Sequence, residues 1–276
     1  MLNLLCSYPK SGNTWLRAVL NEYFYPERAE AHKFDMDFPL LFGRAMFDDL
    51  MGVESSDLTV EALHAAKPAY CRSVAAAADL PAYWKVHDCY FAPRPELPPP
   101  FPPELIGKVV QVIRDPRDVA VSLAHYFDTS TDHAIDMMGR RSLLLGYLPG
   151  QLIDQLPQFV SSWSHNVQSW LAAPLSMLTV RYENLLSEPE ATFGAVFDFL
   201  GLDAGGGRLE RAVAACRFDS LQAREQKYGY KANTGRAAKF FRRGLAGAWR
   251  DELSAHQVAL IERDHGELMR RLGYLA

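Results

Sequence analysis

The stretch "LLCSYPKSGNTWLRAVL", residues 4–20, decides the fold. An apolar run stops at Tyr8-Pro9, a short polar loop follows, and Trp15 then opens a segment with apolar residues at helical spacing. The pattern predicts a buried strand over residues 2–8 and a helix over residues 14–25. A loop that leads from a strand into a helix directs backbone N–H groups outward at the positive end of the helix dipole. The sequence therefore predicts an anion site in this loop.

The residues of the loop suit that purpose. Gly12 lets the backbone approach a ligand closely, Lys10 adds a mobile positive charge, and Ser11, Asn13 and Thr14 add side-chain donors. A nucleoside triphosphatase loop would read G-x-x-x-x-G-K-[ST]. Here the lysine precedes Gly12, and Asn13 stands where that lysine belongs. The alternative interpretation is a strand–helix turn that binds nothing.

Composition excludes several classes of protein. The chain has 276 residues, is 49% hydrophobic and carries a net charge of −4, which suits one large globular domain and argues against a nucleic-acid-coating protein. The sequence contains no run of about 18 apolar residues, so it predicts no transmembrane helix. The basic segment expected of a secretory signal does not precede the first apolar stretch. The four cysteines are far apart without a CxxC pair, so we expect reduced core thiols and no zinc site. These features predict a cytoplasmic protein.

Strands and helices alternate along the rest of the chain. Strands are predicted over residues 82–87, 107–115 and 175–183, and helices over residues 38–51, 59–67, 116–127, 159–173, 189–202, 205–218 and 254–274. Residues 128–157 are predicted to be irregular, and the proline-rich residues 92–104 to form a stiff surface connection. This alternation predicts a single α/β domain over residues 1–276, with a mostly parallel central sheet flanked by helices.

Two further strand ends carry chemistry. Arg114 ends the third predicted strand, and Ser122 lies eight residues later, a spacing that returns to about the same helix face and suits a terminal phosphate. His87 lies at the C-terminal end of the second predicted strand, where α/β sheets place ligands, and a neutral imidazole can accept a proton at pH 7. Lys85 lies two residues earlier, on the same strand face. A structural histidine is the alternative interpretation of His87.

Five segments together resemble one family. "YPKSGNTWL" (8–16) resembles the 5′-phosphosulfate loop of the sulfotransferases that use 3′-phosphoadenosine 5′-phosphosulfate (PAPS), and "VIRDPRDVAVSLAHYF" (112–127) is similar to their 3′-phosphate motif. "YWKVHDCYF" (83–91), "VRYENLLSEP" (180–189) and "FFRRGLAGAWR" (240–250) resemble three further family segments, in the family's order. The resemblance implies a P-loop-nucleotide-kinase-like α/β fold and sulfuryl transfer from PAPS, as co-substrate, to a hydroxyl or phenol without a metal.

The resemblance also implies a role for each matching residue. It makes His87 the general base, Lys10 the stabiliser of the leaving phosphate and Lys85 a ligand of the sulfuryl oxygens. It assigns donor binding to Lys10, Ser11, Gly12, Asn13, Thr14, Trp15, Arg114, Ser122, Tyr182, Phe218, Arg242, Arg243 and Gly244. Tyr182 and Phe218 would lie beside the adenine, with ordinary core aromatics as the alternative. Arg117 and Asp118 are expected to make surface contacts.

Residues 227–243 form a basic segment that the resemblance identifies as a lid over the 3′-phosphate, with a solvated charged loop as the alternative interpretation. Its charged residues are Lys227, Lys231, Arg236, Lys239, Arg242 and Arg243, and we expect it to be mobile without nucleotide. The chain departs from the family pattern at Ala248, where relatives often carry aspartate, and at Arg217, where they carry a small hydroxyl residue. The family's C-terminal dimer motif is not visible, so the oligomeric state stays open.

The acceptor is the least determined part of the function. Residues 26–80 and 128–160 lie outside the donor motifs and are expected to shape its pocket, with an aromatic set that is either pocket lining or core: Phe34, Phe38, Phe42, Phe47, Tyr126, Phe127, Tyr147 and Trp163. We expect a small-molecule hydroxyl or phenol, a natural product among the candidates, with no nucleic acid and no membrane insertion. A small-molecule kinase and a non-catalytic nucleotide-binding protein on the same fold are the alternatives.

Overall fold

The strand and helix predicted at the start of the chain are present in the computed structural model as β1 (Leu2–Ser7) and α1 (Asn13–Phe24). The structure describes residues 1–26, 38–77, 83–148, 150–230 and 239–276. Internal contacts divide the chain into two units. The first unit comprises residues 1–8, 38–111 and 137–177, and the second comprises residues 9–37, 112–136 and 178–276.

The helices and strands after α1 follow in the predicted alternation. In chain order they are α2 (Arg44–Met51), α3 (Val60–Ala76), β2 (Tyr83–Val86), β3 (Ile106–Ile113), α4 (Pro116–Phe127), α5 (Thr131–Gly139), β4 (Leu144–Leu145), β5 (Gln158–Phe159), α6 (Trp163–Leu171), β6 (Ser176–Arg181), α7 (Tyr182–Ser187), α8 (Pro189–Leu200), α9 (Arg208–Ala215), α10 (Phe218–Tyr228), α11 (Trp249–Glu252) and α12 (Ala255–Arg271).

Within the described residues the central sheet has four strands in the order β2, β1, β3, β6. β1 and β2 run parallel, with Asn3 opposite Tyr83 and Cys6 opposite Val86. A parallel pair needs a long crossover connection, and helices occupy the connections between these strands. The predicted α/β fold with a parallel central sheet flanked by helices is confirmed.

The first unit packs around large aromatic side chains. The ring centroid of Phe101 lies 5.1 Å from that of Trp170 on α6 and 5.7 Å from that of Phe42. Trp84 of β2 and Tyr70 of α3 are fully buried in the same cluster. Because residues 100–102 are buried, the predicted surface connection over 92–104 is wrong at its end, where Phe101 draws the chain into the core.

The second unit contains the helix whose bounds the sequence predicted in full. α4 begins at Pro116, and the Asp115 side chain accepts a hydrogen bond from the Arg117 N–H at 2.9 Å, so Asp115 is the N-cap. Elsewhere in this unit, α1 packs through Tyr23 against Phe197 of α8, with ring centroids 4.8 Å apart.

All four cysteines are free and buried, which confirms the expected core thiols.

Two predictions of secondary structure are wrong, one for residues 128–157 and one for residues 38–51. Residues 128–157 are not irregular throughout, because α5 occupies Thr131–Gly139 and buries Ala134, Ile135 and Met138 on one face. The helix predicted over residues 38–51 begins only at Arg44, because the Lys85 N–H donates to the Pro39 carbonyl and the Leu41 N–H to the Lys85 carbonyl. These extended contacts hold residues 39–41 outside any helix.

Other elements are shorter than predicted. The strand predicted over 175–183 ends at Arg181, and Tyr182 starts α7; the strand predicted over 107–115 ends at Ile113. The helix predicted over 159–173 starts at Trp163, because Ser162 caps it and Phe159 pairs with Leu144 in a small antiparallel sheet. Ala82, at the start of the predicted strand 82–87, lies outside the described residues.

Candidate functional site

The loop after β1 has two residues in the left-handed backbone region, which glycine adopts readily and lysine does not. Gly12 has a φ of 107°, and Lys10 has a φ of 66°, an uncommon value for a residue with a side chain. The Gly12 carbonyl accepts hydrogen bonds from the N–H groups of Trp15 and Leu16 at 2.9 and 3.2 Å and so starts α1. A Cβ at Gly12 would lie 2.6 Å from the Tyr182 Cδ2 atom. The loop therefore needs glycine for both its conformation and its packing.

Buried donors without acceptors surround this loop. Among the described residues the Ser11 Oγ, Trp15 Nε1 and Arg114 Nε atoms are buried with no hydrogen-bond partner. Unsatisfied buried donors are costly, so their concentration in one place indicates a ligand with acceptor atoms. Asn13 is buried as the first residue of α1. Thr14 hydrogen-bonds to Tyr230 of the same unit, so part of its capacity is used structurally.

The Lys10 ammonium lies between two aromatic rings. Its Nζ atom is 4.2 Å from the ring centroid of Tyr126 and 3.7 Å from that of Phe240. Cation–π contacts of this kind stabilise a charged ammonium and restrict where it can point. Tyr126 stands near the end of α4. The sequence included Tyr126 in the aromatic set considered for the acceptor. In the structure its ring contacts the Lys10 ammonium.

Arg114 connects the loop to the segment before α11. One terminal guanidinium nitrogen donates to the Lys10 carbonyl at 3.2 Å and the other to the Leu245 carbonyl at 3.0 Å. The guanidinium carbon lies 4.3 Å from the ring centroid of Tyr182. Ser122 is half-buried on α4, two turns after the helix start. The predicted contact of Arg114 and Ser122 with a terminal phosphate stays a prediction.

The described part of the predicted lid is fastened to α10. The Glu225 carboxylate accepts hydrogen bonds from the N–H groups of Phe240 and Phe241 at 2.6 and 2.9 Å. Gln222 donates to the Phe241 carbonyl at 2.9 Å. Residues 231–238, which include Lys231 and Arg236, lie outside the described residues, so the mobility expected of the whole segment stays a prediction. α10 ends at Tyr228, so the segment begins as a helix.

The two arginines assigned to the 3′-phosphate have a carboxylate partner. Arg242 forms a bidentate pair with Glu252 at 2.8 and 3.0 Å, and Arg243 donates to the same carboxylate at 2.9 Å. Gly244 has a φ of 60°, and a Cβ there would overlap the Phe218 ring. The assigned residues Phe218 and Gly244 therefore lie in contact. A bound phosphate would compete with Glu252 for these guanidinium groups.

Arg117 and Asp118 correct the sequence-based expectation, because both are buried rather than on the surface. The Asp118 carboxylate accepts hydrogen bonds from the N–H groups of Gly247 and Trp249 at 2.6 and 3.0 Å. Burial raises the pKa of Asp118, and Arg114 and these two hydrogen bonds oppose the rise. Asp118 thus holds the turn from Gly247 to Trp249.

Arg117 is buried because acidic partners surround it. It pairs with Asp115 at 2.7 Å and with Glu262 of α12 at 3.0 Å, and it donates to the Tyr274 carbonyl at 2.8 Å. These contacts join α4 to the C-terminal helix. The sequence offered one signal, the adjacent acidic and basic residues "RDPRD", but no clue to the distant Glu262.

His87 lies in the first unit, directly after β2. Its Nδ1 atom is 2.8 Å from the Ser7 carbonyl oxygen, and the Ser7 Oγ atom lies 3.5 Å away. A carbonyl oxygen only accepts hydrogen bonds, so Nδ1 carries the proton in the neutral ring and Nε2 carries the lone pair. Lys85 is half-buried, and its backbone bonds to residues 39 and 41. The structure thus gives His87 the tautomer in which Nε2 can accept a proton.

The residues after His87 form a buried network that sequence reasoning missed. Asp88 is 0% exposed and pairs with Lys67 of α3, 1% exposed, at 2.5 Å. Burial raises the pKa of Asp88, and the Lys67 charge opposes the rise. The Asn166 side chain donates to the His87 carbonyl at 3.0 Å. No sequence signal paired Lys67 with Asp88, because they are separated by 21 positions and a strand.

The aromatic residues considered for the acceptor are mostly core. Phe38, Phe42, Phe47 and Trp163 are buried, as the alternative interpretation held. Tyr147 is 48% exposed, and Phe127 is half-buried at the end of α4. Phe34 lies outside the described residues. Tyr182 packs edge-on against Trp15 at 6.2 Å between ring centroids, which places this assigned pair together.

In the part of the chain that the structure describes, no group of three or more His, Cys, Asp or Glu residues could hold a metal ion. In that same part, each helix is too short or too polar to cross a lipid bilayer.

Comparison with known sequences gives one family. The profile of the family described as "Sulfotransferase domain" matches residues 3–273. Cytosolic sulfotransferase 12 of Arabidopsis thaliana is 27% identical over 290 residues, which cover 98% of this chain and 78% of that protein. Cytosolic sulfotransferase 3 of the same plant is 24% identical over 268 residues, covering 94% of this chain and 74% of that protein.

Comparison with solved structures gives the same architecture. The mouse sulfotransferase SULT7A1 complexed with PAP has a TM-score of 0.60 at 19% identity and covers 98% of this chain and 84% of that one. Retinol dehydratase in a complex with retinol and PAP has a TM-score of 0.64 at 19% identity and covers 97% of this chain and 80% of that one. At this identity the likeness establishes the fold.

Proposed function

The chain belongs to the family described as "Sulfotransferase domain", and we propose that it transfers a sulfuryl group from PAPS to the oxygen of a hydroxyl or phenol by in-line displacement. The observation that carries the proposal is the phosphate-type loop after β1, with its glycine at φ 107° and the buried, unpartnered donors of Ser11, Trp15 and Arg114. These groups fit a phosphorylated donor, because they supply N–H and O–H groups in need of acceptors.

Donor binding is assigned to residues of the second unit. The 5′-phosphosulfate is assigned to the loop Lys10, Ser11, Gly12, Asn13, Thr14 and Trp15 at the start of α1. The 3′-phosphate is assigned to Arg114, Ser122, Arg242, Arg243 and Gly244, and the adenine to Tyr182 and Phe218. The donor brings the sulfuryl group, already activated by attachment to a phosphate.

His87 is assigned the role of general base. Its Nδ1–H is held by the Ser7 carbonyl, so Nε2 is the nitrogen that takes the proton from the acceptor hydroxyl. The proton moves to Nε2 as the acceptor oxygen forms its bond to sulfur. The resulting imidazolium keeps its Nδ1–H donor on a carbonyl, an arrangement that also suits the charged ring.

Lys10 is assigned the stabilisation of the leaving phosphate. Negative charge grows on the phosphate oxygens as the S–O bond breaks, and a placed ammonium favours that state. The rings of Tyr126 and Phe240 hold the Lys10 ammonium at 4.2 and 3.7 Å and limit its orientations. Lys85 is assigned to the sulfuryl oxygens, which carry negative charge throughout. No metal enters this scheme.

The acceptor is proposed to be a small molecule with a hydroxyl or phenol, a natural product among the candidates. Retinol dehydratase, a structural neighbour, is described in one structure in complex with retinol and PAP and in a second structure in complex with androsterone and PAP. The relatives named as cytosolic sulfotransferases support a cytoplasmic location without membrane insertion. The net charge of −4 supports a function without nucleic acid. Residues 1–276 are proposed to act as one sulfotransferase domain, since the family profile spans residues 3–273.

The first experiment is calorimetric titration of the protein with 3′-phosphoadenosine 5′-phosphate (PAP), with AMP and ATP as controls. Binding of PAP that is at least about tenfold tighter than that of AMP supports the donor site, since charge-assisted phosphate contacts are worth more than about 1.4 kcal/mol. A preference for ATP contradicts the proposal. Transfer of ³⁵S-sulfate from labelled PAPS to 4-nitrophenol, 2-naphthol and an aliphatic alcohol then tests the reaction and its acceptor class.

A further inference from the structure

The Lys67–Asp88 ion pair has no role in the chemistry proposed above, yet it is the most deeply buried charge pair among the described residues. Lys67 extends from α3 into a core cluster that includes Phe42, and its Nζ atom lies 4.4 Å from the Phe42 ring centroid. Removing two charges from water is costly, and apolar side chains in their place often give equal or greater stability. Stability alone therefore does not explain why these two charges lie here.

The Asp88 carboxylate links two segments of the first unit, α3 and residues 157–159, to the chain directly after His87. Its Oδ1 atom accepts hydrogen bonds from the Lys67 ammonium at 2.5 Å and from the Phe159 N–H at 2.9 Å. Lys67 also donates to the Pro157 carbonyl at 3.0 Å, and the Cys89 N–H donates to the Phe159 carbonyl at 2.7 Å. Residues 88–89 are thus fixed to α3 and to residues 157–159.

Three side chains of α6 hold the same stretch from another direction. Asn166 donates to the His87 carbonyl at 3.0 Å, and Trp170 donates to the Asp88 carbonyl at 3.0 Å. The Ser169 hydroxyl accepts the Tyr90 N–H at 2.9 Å. Each residue from His87 to Tyr90 therefore has a backbone group in a hydrogen bond to another segment of the unit, although the stretch lies after the end of β2.

We infer that the Lys67–Asp88 pair and Asn166 are positioning residues for His87, which hold its backbone so that the imidazole keeps Nδ1 on the Ser7 carbonyl and Nε2 toward the acceptor. The inference rests on the proposed function of His87 as general base. A base must lie within hydrogen-bond reach of the proton it takes, and small displacements are costly in rate. Supporting contacts that lock the rotamer of such a residue are the usual solution.

The central test is the double variant Lys67→Met/Asp88→Asn, assayed with PAPS and 4-nitrophenol. It removes both charges together and keeps an amide oxygen to accept the Phe159 N–H, so that neither charge is left buried alone. We expect a urea midpoint near that of the wild type, PAP binding within twofold, and a kcat at least tenfold lower with a smaller change in KM. A double variant with wild-type kcat would overturn the inference.

Two further variants separate positioning from stability. Asn166→Leu removes the donor to the His87 carbonyl and is expected to lower kcat at least tenfold. Leu63→Ala, on the same helix as Lys67, removes a buried side chain without a polar contact to residues 87–90. It is expected to lower the urea midpoint and to leave kcat within twofold of the wild type. A kcat that falls in step with the urea midpoint across all three variants would instead mark the pair as structural and overturn the inference.

A readout that needs no activity is the ¹⁵N spectrum of histidine-labelled protein, with the His87 signals assigned from their loss in His87→Ala. The wild type is expected to show a protonated Nδ1, and the double variant and Asn166→Leu a mixture of both tautomers. Unchanged tautomers in both variants would count against the inference. A wild-type kcat in His87→Ala would instead overturn the proposed role of His87 as general base, while the spectrum would still report whether the pair orients His87.

Discussion

The loop from Lys10 to Trp15 and the stretch from His87 to Tyr90 follow neighbouring parallel strands, yet they are built in different ways. The loop takes its donors from consecutive residues and the start of α1. The stretch around His87 depends on partners at Ser7, Lys67, Phe159 and Asn166, as many as 80 positions away in the chain. An anion needs N–H groups and positive charge, which a local loop supplies, whereas a base needs an orientation, which here is supplied by distant contacts.

The lysines of the two regions show the same contrast. The Lys10 ammonium lies between two aromatic rings, while Lys67 forms an ion pair with a carboxylate inside the core. Aromatic faces attract a cation without cancelling its charge. The two lysines thus differ in setting: Lys67 is paired with a carboxylate inside the core, and Lys10 lies between two rings in the loop.

The largest effect expected is that of His87→Ala. Removing the general base is expected to lower kcat by about 10²- to 10⁴-fold, because proton transfer in the transition state is lost. PAP binding, assigned to the other region, is expected to stay within twofold. Transfer kinetics and calorimetry on the same preparation measure both. The control is His256→Ala, a substitution at an exposed position on α12. A wild-type kcat in His87→Ala would show that His87 is not the general base.

Lys10→Met is expected to lower kcat by about 10- to 10³-fold, since it removes a charge that stabilises the transition state. Unlike His87→Ala, it is also expected to weaken PAP binding about tenfold, because it removes a charge-assisted contact to phosphate. Single-turnover rates and PAP titration separate the two effects. Lys108→Met on β3 provides a charge-matched control. Equal rates for Lys10→Met and the control would show that Lys10 is only a surface charge.

Gly12→Ala tests the local construction of the loop against a matched glycine. Gly12 and Gly52 both have left-handed backbones, with φ of 107° and 62°. An added Cβ meets the Tyr182 ring at Gly12 but nothing within 4 Å at Gly52. Gly52→Ala is expected to cost about 1 kcal/mol of unfolding free energy, and Gly12→Ala about 2–4 kcal/mol with weaker PAP binding. Urea unfolding measures the loss of unfolding free energy, and titration measures PAP binding. Equal losses of unfolding free energy in Gly12→Ala and Gly52→Ala would mean that Tyr182 does not shape the loop.

The smallest expected effect is the pH dependence of stability, which arises because each unit contains a buried histidine. Burial lowers the pKa of His64 on α3 and of His265 on α12 to about 4. The unfolded chain binds these protons first as pH falls below about 6.5, so stability is full above that pH and is lost between about 6.5 and 4. Each histidine is expected to cost about 2 kcal/mol of unfolding free energy between pH 7.5 and pH 5.

Urea unfolding of His64→Gln and His265→Gln at pH 7.5 and pH 5 measures that dependence. Each variant is expected to lose less stability on acidification than the wild type does, while the exposed His256→Gln is expected to match the wild type. A wild-type pH dependence in both buried-site variants would show that the two histidines are not the neutral groups their burial implies.

Where sequence reasoning failed, a distant contact opposed the local pattern. Residues 38–51 carry an apolar pattern typical of a helix, but residues 39–41 pair with Lys85 and stay extended. Arg117 and Asp118 follow a strand and look exposed in sequence, yet Glu262 and the turn at Gly247 bury them. α5 was missed because its three buried residues, Ala134, Ile135 and Met138, form too short an apolar stripe to mark a helix.

The sequence by itself determined the α/β class, the strand–loop–helix at the start of the chain, the capped helix from Pro116 to Phe127 and the family to which the chain belongs. These features depend on residues close together in the chain, whose conformational preferences act over a few positions. The tertiary structure alone decided the tautomer of His87, the burial of Lys67 with Asp88 and the rings that hold Lys10. Those outcomes depend on which distant groups share a low-dielectric interior, where leaving a polar atom unpaired is costly.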